Sequence, residues 1–263
     1  MEPVADTMQI GELLDERRHL RDVAHWMLGD GATAEHVTDE AYGEWYRLSE
    51  QQRGRIGAPR AWLTRAVGSI AMARLGLSGA SDTSTPAERA ALVIDDVFGD
   101  VAGGSATTAE QAARGRRGPA DLEPSGRARH SLRARTARPA SSGVQADVVD
   151  AVRQACVDGD ADRLTDLLHP DAVAFYDGGG KVRALTRPVV GGPRVARSLR
   201  TLLARHPRTT LHTGAVNGRT GLVARYDGRV AAVVCLDVAG SRVVQVWAVL
   251  NPDKLRSWNR PRP

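Results

Sequence analysis

A chain of 263 residues can form two small domains, and 42% hydrophobic content supports real cores, although aromatics at 4% leave aliphatic side chains and alanine to fill them. Cys156 and Cys235 lie far apart with no CxxC or Cys/His spacing, which argues against a disulfide framework or a zinc site and for a reducing cytoplasm. The net charge of +5 permits nucleic-acid contact without requiring it; the start Met1–Glu16 carries acids rather than a basic n-region, so no secretory leader is expected, and the longest apolar run, Val230–Leu236, is far below a membrane span.

The first predicted helix covers 12–28, with Leu13, Leu20, Val23, Ala24, Met27 and Leu28 at three- and four-residue spacing. Gly29-Asp30-Gly31 ends it. A second helix follows with Thr33 as N-cap and Ala34, Val37, Ala41, Trp45 and Leu48 on one face. A polar stretch, Ser49 to Gly57, leads to a third helix with Pro59 in its first turn and Trp62, Ala66, Ile70 and Ala73 as its stripe. Trp26, Trp45 and Trp62 recur at helical positions and are read as core. Thr85-Pro86-Ala87-Glu88 has capping-box spacing and opens a helix to about Phe98. From Gly99 to Gly143, glycines and prolines interrupt every helical pattern, large apolar residues nearly vanish and arginines cluster between Arg114 and Arg138. This is a basic connector.

Order returns at Val144. Helical patterns cover 144–157, 160–168 and 193–206. Strand-like runs then fall near 208–216, 220–227, 229–238 and 241–250, separated by the hairpin signals Asn217-Gly218, Asp227-Gly228 and Ala239-Gly240. Helices followed by an antiparallel meander predict an α+β domain whose curved antiparallel sheet wraps a helix.

Several stretches carry a family resemblance. His19–Gly29, Ala34–Ala41 and Pro59–Leu63 resemble region two of extracytoplasmic-function sigma factors, and Thr85–Gly99 resembles the opening of region four. The last 120 residues resemble a SnoaL-like domain, a nuclear-transport-factor-2-like cone. Asp177-Gly178-Gly179-Gly180-Lys181 and Asn251-Pro252-Asp253-Lys254-Leu255 resemble signature motifs of the sigma-factor subfamily with a fused SnoaL-like domain. The resemblance implies a multidomain chain: an all-α region-two-like domain at 1–80, a degenerate region-four-like segment and linker at 81–143, and a SnoaL-like domain at 144–263. It implies a cytoplasmic transcription regulator that binds RNA polymerase core, with no cofactor and no metal. Glu35, Asp39, Glu40, Tyr42 and Glu44, read as the polar side of helix two, are the implied polymerase-binding residues.

The departures fall where DNA is touched. The third helix runs out in Met72–Gly79 without the family's arginine-rich end, and clustered cations are what hold phosphates. In the best equivalent of the groove-reading helix, Gly118–Arg129, Pro124 costs about 3 kcal/mol and Gly126 about 1. Arg60, Arg65, Arg127, Arg129 and Arg133 are therefore candidates for weak promoter contact only, and another regulatory protein is a further partner the reading allows. Two alternatives stay open: a DNA-incompetent sigma-derived module acting through protein contact, and a SnoaL-like small-molecule sensor or enzyme. For the last, the candidates are His169, Asp171, His212 and Asp237, with His169-Pro170-Asp171 reading more simply as a helix end.

Only Lys181 and Lys254 are lysines among 36 basic side chains, and each sits in one of the two motifs. Lysine presents a compact ammonium where arginine presents a planar fork. The expectation is that the motifs meet on one edge of the domain, each lysine on a carboxylate or carbonyl of the other motif or of the helical half.

Overall fold

The computed structural model describes residues 8–76 and 140–260. The helix expected from Thr85, the arginine run and the region-four-like segment lie outside the described residues. Two compact units form: residues 8–15 group with 140–260, and residues 16–76 make the other. The helical domain expected to begin at residue 1 thus cedes its first described residues to the C-terminal unit.

Helix α1 spans Ile10–Leu28, α2 Gly31–Arg47, α3 Glu50–Gly54 and α4 Pro59–Arg74. Asp30, not Thr33, caps α2: its carboxylate accepts from the Thr33 amide at 2.7 Å. The stretch read as a polar link contains α3, started by a capping box in which Ser49 and Gln52 bond each other's backbone. Leu20 and Ala24, Ala34, Val37, Ala41 and Trp45, and Leu63, Ala66, Val67 and Ile70 fill one core, one stripe from each long helix. The α4 stripe differs from expectation at its ends, because Leu63 and Ala71 point inward while Ala73 is exposed. Trp45 and Trp62 meet edge to face at 5.4 Å, but Trp26 is 42% exposed and belongs to no core.

The C-terminal unit begins with α5, Ser142–Asp158, capped by Ser141 and ended by Gly159 in the left-handed region. Helix α6 follows, Ala161–Asp166, and α7 spans Gly192–Leu202. The strands are β1 Leu168–Asp177, β2 Val189–Val190, β3 Thr209–Val216, β4 Arg219–Tyr226, β5 Arg229–Ala239 and β6 Arg242–Val249. They form one open sheet in the order β2-β1-β6-β5-β4-β3. The four-strand meander matches the sequence expectation, and Asn217-Gly218 and Asp227-Gly228 take two successive positive φ values in its tight turns.

Two expectations are corrected. The segment through His169-Pro170-Asp171 is not a helix end but the start of a strand, and the sheet is mixed, because β1 runs parallel to β6. The β1 register shifts between Leu168 and Val173, so the proline sits where the ladder is interrupted and its missing N–H costs no pairing.

Val148, Val149, Val152 and Ala155 of α5 and Val195, Leu199 and Leu202 of α7 pack on Ala174, Leu222, Val234 and Val246 of the sheet. Buried Gln145 ties α5 to the strands by donating to the carbonyls of Leu236 at 2.7 Å and Thr220 at 3.2 Å. On the opposite sheet face, Val216, Val223, Val230 and Val233 pack with Leu255 of a closing 3₁₀ helix, Lys254–Asn259.

Candidate functional surfaces

The acidic side of α2 is organised from α1. Arg17 is buried, and its Nη2 donates to Glu35 Oε1 at 2.5 Å and Asp39 Oδ1 at 2.7 Å, one helical turn apart on α2. Burial alone disfavours the Arg17 charge, but the Asp39 hydrogen bond and the Glu35 charge outweigh it and hold the guanidinium above its ordinary pKa. The Tyr42 hydroxyl donates to buried Glu16 at 3.2 Å. Tyr42 is fully buried, so its place on the polar side is corrected: it lies on the stripe with Val37, Ala41 and Trp45, and its hydroxyl finds an interior partner.

Glu40 is exposed and accepts from Arg74 of α4 at 2.9 Å. Glu44 is half-buried, and its carboxyl pKa is raised by burial, with the Glu40 charge adding and Arg47 opposing. Both acids border an open cleft of about 430 Å³ between α2 and α4, lined also by Ser69, Ile70, Ala73 and Arg74. Gly43, next to Glu44, faces open space: an added Cβ meets nothing within 4 Å.

Of the DNA candidates, Arg60 and Arg65 are exposed on α4, and Arg60 helps hold the pKa of His19 down, second to burial. Arg127, Arg129 and Arg133 lie outside the described residues. Helix α4 ends at Arg74, with Gly76 at positive φ just beyond.

The structure brings the two lysine motifs together, and the reason is topological. Asp177 ends β1 and pairs with Val249 at the end of β6; because the strands are parallel, the segments that follow leave the sheet at the same end of the two strands. Lys254 Nζ donates to Asp177 Oδ2 at 2.7 Å, and Lys181 Nζ lies 2.9 Å from Asp253 Oδ2, so each lysine reaches across to the other motif's aspartate. Asp177 also accepts from the Gly179 amide at 3.0 Å. Gly179 and Gly180 have φ of +61° and +69°, and a Cβ on Gly179 would stand 2.2 Å from the Asn251 amide nitrogen. Asn251 is thus seated over bare backbone. A side chain at 179 would have to displace the Asn251 amide and take up a strained backbone conformation.

The catalytic candidates do not converge. His169 and Asp171 are exposed and share a local bond, the Asp171 amide donating to His169 Nδ1 at 3.2 Å. His212 is exposed on edge strand β3, and Asp237 faces Arg219 at 3.6 Å. The polar pair inside the C-terminal unit, which the sequence reading did not single out, is Tyr176 with Ser198. Their hydroxyls bond each other, Ser198 donates to the Val195 carbonyl at 2.9 Å, and burial holds the Tyr176 pKa well above the ordinary phenol range. Among the described residues, no group of three or more His, Cys, Asp or Glu could hold a metal, and no helix is long and apolar enough to cross a membrane.

A helical module with an ordered acidic face, joined to an α+β domain with a mixed sheet, defines a two-part class of protein. Along nearly its whole length the chain is homologous to extracytoplasmic-function sigma factors. It is 26% identical to the RNA polymerase sigma factor SigJ of Mycobacterium tuberculosis, over 94% of this chain and 93% of that one. It is also 26% identical to the probable sigma factor SigI of the same organism, over 91% and 92%. The crystal structure of SigJ aligns with 25% identity and a TM-score of 0.37, over 94% of this chain and 98% of that one. An NTF-2-like protein from Burkholderia xenovorans aligns with 20% identity and a TM-score of 0.32, over 46% and 97%. No protein-family model matches the chain.

Proposed function

We propose that this chain is a sigma-factor-like transcription regulator that binds RNA polymerase core through its helical unit and is regulated by its SnoaL-like C-terminal unit. Full-length similarity to sigma factors carries the reading. The α2 surface supports it. Glu40 and Glu44 stand one turn apart at an open cleft floored by Ile70 and Ala73, which suits a partner helix offering basic side chains around an apolar contact. Glu35 and Asp39 extend the same acidic face, while Tyr42 serves the core. A cytoplasmic location goes with this role.

Promoter contact in this reading is slight. Arg60 and Arg65 can each neutralise a phosphate, whereas Arg74 at the end of α4 is engaged with Glu40. That pairing also favours a second reading, a DNA-incompetent module that acts through protein contact alone. The regulatory role falls to the paired motifs, so Lys181→Arg and Lys254→Arg are expected to change polymerase-dependent transcription.

The test is co-purification of the full chain with core polymerase. A Glu40→Lys/Glu44→Lys double variant should keep its helical circular dichroism and lose binding. Equal binding by both proteins sinks the assignment of this surface. Run-off transcription separates the two readings: promoter-dependent product supports a working sigma factor, and binding without product supports the protein-contact module.

A further inference from the structure

Helix α1 is one continuous helix, yet its first residues belong to the C-terminal unit. Ile10 and Leu13 are 1% and 2% exposed and sit in the apolar core with Val149, Leu199 and Tyr226. Gly11 lies against the ring of His206, where a Cβ would come within 2.6 Å of Cγ. Asp15 Oδ1 accepts from Arg208 Nη1 at 2.9 Å and from the Tyr226 hydroxyl, and its Oδ2 lies 3.8 Å from His206 Nε2. The Arg208 guanidinium also pairs with Asp227 and stands 4.4 Å over the Tyr226 ring. A small-residue contact, two buried aliphatics and a multiply bonded carboxylate thus seat one amphipathic segment. The very next residues do the opposite job in the helical unit: Glu16 accepts from Tyr42, and Arg17 holds Glu35 and Asp39.

We propose that residues 8–15 are a clasp: the C-terminal unit holds the first turns of α1 and so keeps Glu16 and Arg17 in the helical register that orders the acidic face of α2. Helix ends lack intrahelical partners for their first N–H groups and fray unless anchored. With the clasp open, fraying reaches Arg17, Glu35 and Asp39 lose their shared donor, and the acidic face loosens. Holding the first turns of α1 therefore supports the polymerase-facing surface. This second half of the proposal rests on the polymerase-binding reading above.

The test uses the full chain and a substitution whose sign differs between the two cases. In an undocked helix Gly11→Ala strengthens the helix, because alanine is the better helix former. In the clasp it drives a Cβ into the His206 ring. Hydrogen exchange of the amides at 11–17 should become about tenfold faster in Gly11→Ala, with Asp15→Asn shifting in the same direction. Adding His206→Ala to Gly11→Ala should slow exchange again. Slower exchange in Gly11→Ala alone overturns the clasp. Core-polymerase affinity should fall in parallel, severalfold in both clasp variants. If Glu40→Lys/Glu44→Lys abolishes binding while Gly11→Ala speeds exchange and binds as wild type does, the coupling is refuted and the binding reading stands. If the double reversal binds normally, the binding reading and the coupling fail together, and exchange alone decides the clasp.

Discussion

Asp39 and Glu40 are adjacent acids on one helix, and the structure separates them energetically. The Arg17 side chain is 9% exposed and has Glu35 and Asp39 among its charge partners, whose side chains are 42% and 23% exposed. Asp39→Ala removes one charge-assisted hydrogen bond from a buried guanidinium, a loss of about 1.5–3 kcal/mol. Stranding a buried charge altogether costs about 3–5 kcal/mol, but the 2.5 Å bond to Glu35 remains, so about 2 kcal/mol is expected. Glu40 pairs with Arg74 in the open, the two side chains 45% and 39% exposed, and Glu40→Ala should cost under about 1 kcal/mol. Because the chain has two units, a single melting curve would mix their transitions. Native-state hydrogen exchange of the amides in residues 16–76 isolates the helical unit. At about 1.4 kcal/mol per factor of ten, Asp39→Ala should speed exchange of the slowest of these amides roughly thirtyfold and Glu40→Ala less than about fivefold. Equal effects would refute the argument that Arg17 orders this face, and would return Asp39 to the simple exposed acid its sequence position implies.

Gly43→Ala should stabilise the helical unit by about 0.5–1 kcal/mol in the same exchange experiment, since the site is inside α2 with open space around the new methyl; a loss of stability would contradict the packing. Gly179→Ala should destabilise the C-terminal unit by about 1–3 kcal/mol, because a positive φ and the Asn251 amide both oppose a Cβ, whereas Lys254→Ala at the exposed pair with Asp177 should cost under about 1 kcal/mol; native-state hydrogen exchange of the amides in residues 140–260 of the two variants gives the order. Thiol labelling at pH 8 should modify half-buried Cys235 long before buried Cys156, whose pKa burial pushes up to about 12. The Cys156 thiol is favoured in its neutral form in the folded state, so the stability linked to it is complete below the unfolded value of about 8.5 and disappears as pH climbs toward about 12; labelling of Cys156 at the rate of Cys235 would overturn its burial.

Local pattern was enough for the long helices and the tight turns, but not for the Ser49–Gln52 capping box of α3 or for the Asp30 cap of α2. The stripes of α1, α2 and α4 follow from three- and four-residue spacing, and the β3–β6 meander from Asn-Gly and Asp-Gly turns. Pairing between distant segments was not legible. Strand β1 does not alternate: its register shift gives a buried run, Ala172-Val173-Ala174, after exposed His169-Pro170-Asp171, and its neighbour β6 is some seventy residues further on. The lysines could be flagged by their rarity, but only the parallel β1–β6 pairing explains why Lys181 meets Asp253 and Lys254 meets Asp177. Tyr42, Arg17 and Asp15 were misread or passed over for one reason. A polar atom's position on a helical wheel says which way it points, while the donor or acceptor that makes burial affordable comes from another element: Glu16 for Tyr42, α2 for Arg17, Arg208 and Tyr226 for Asp15. The sequence by itself determined the long helices and the hairpins of the meander, because those rest on neighbours in the chain, although the short helix α3 escaped it. The tertiary structure alone decided which charges are structural and which face outward, because that depends on partners 18 to more than 190 residues away.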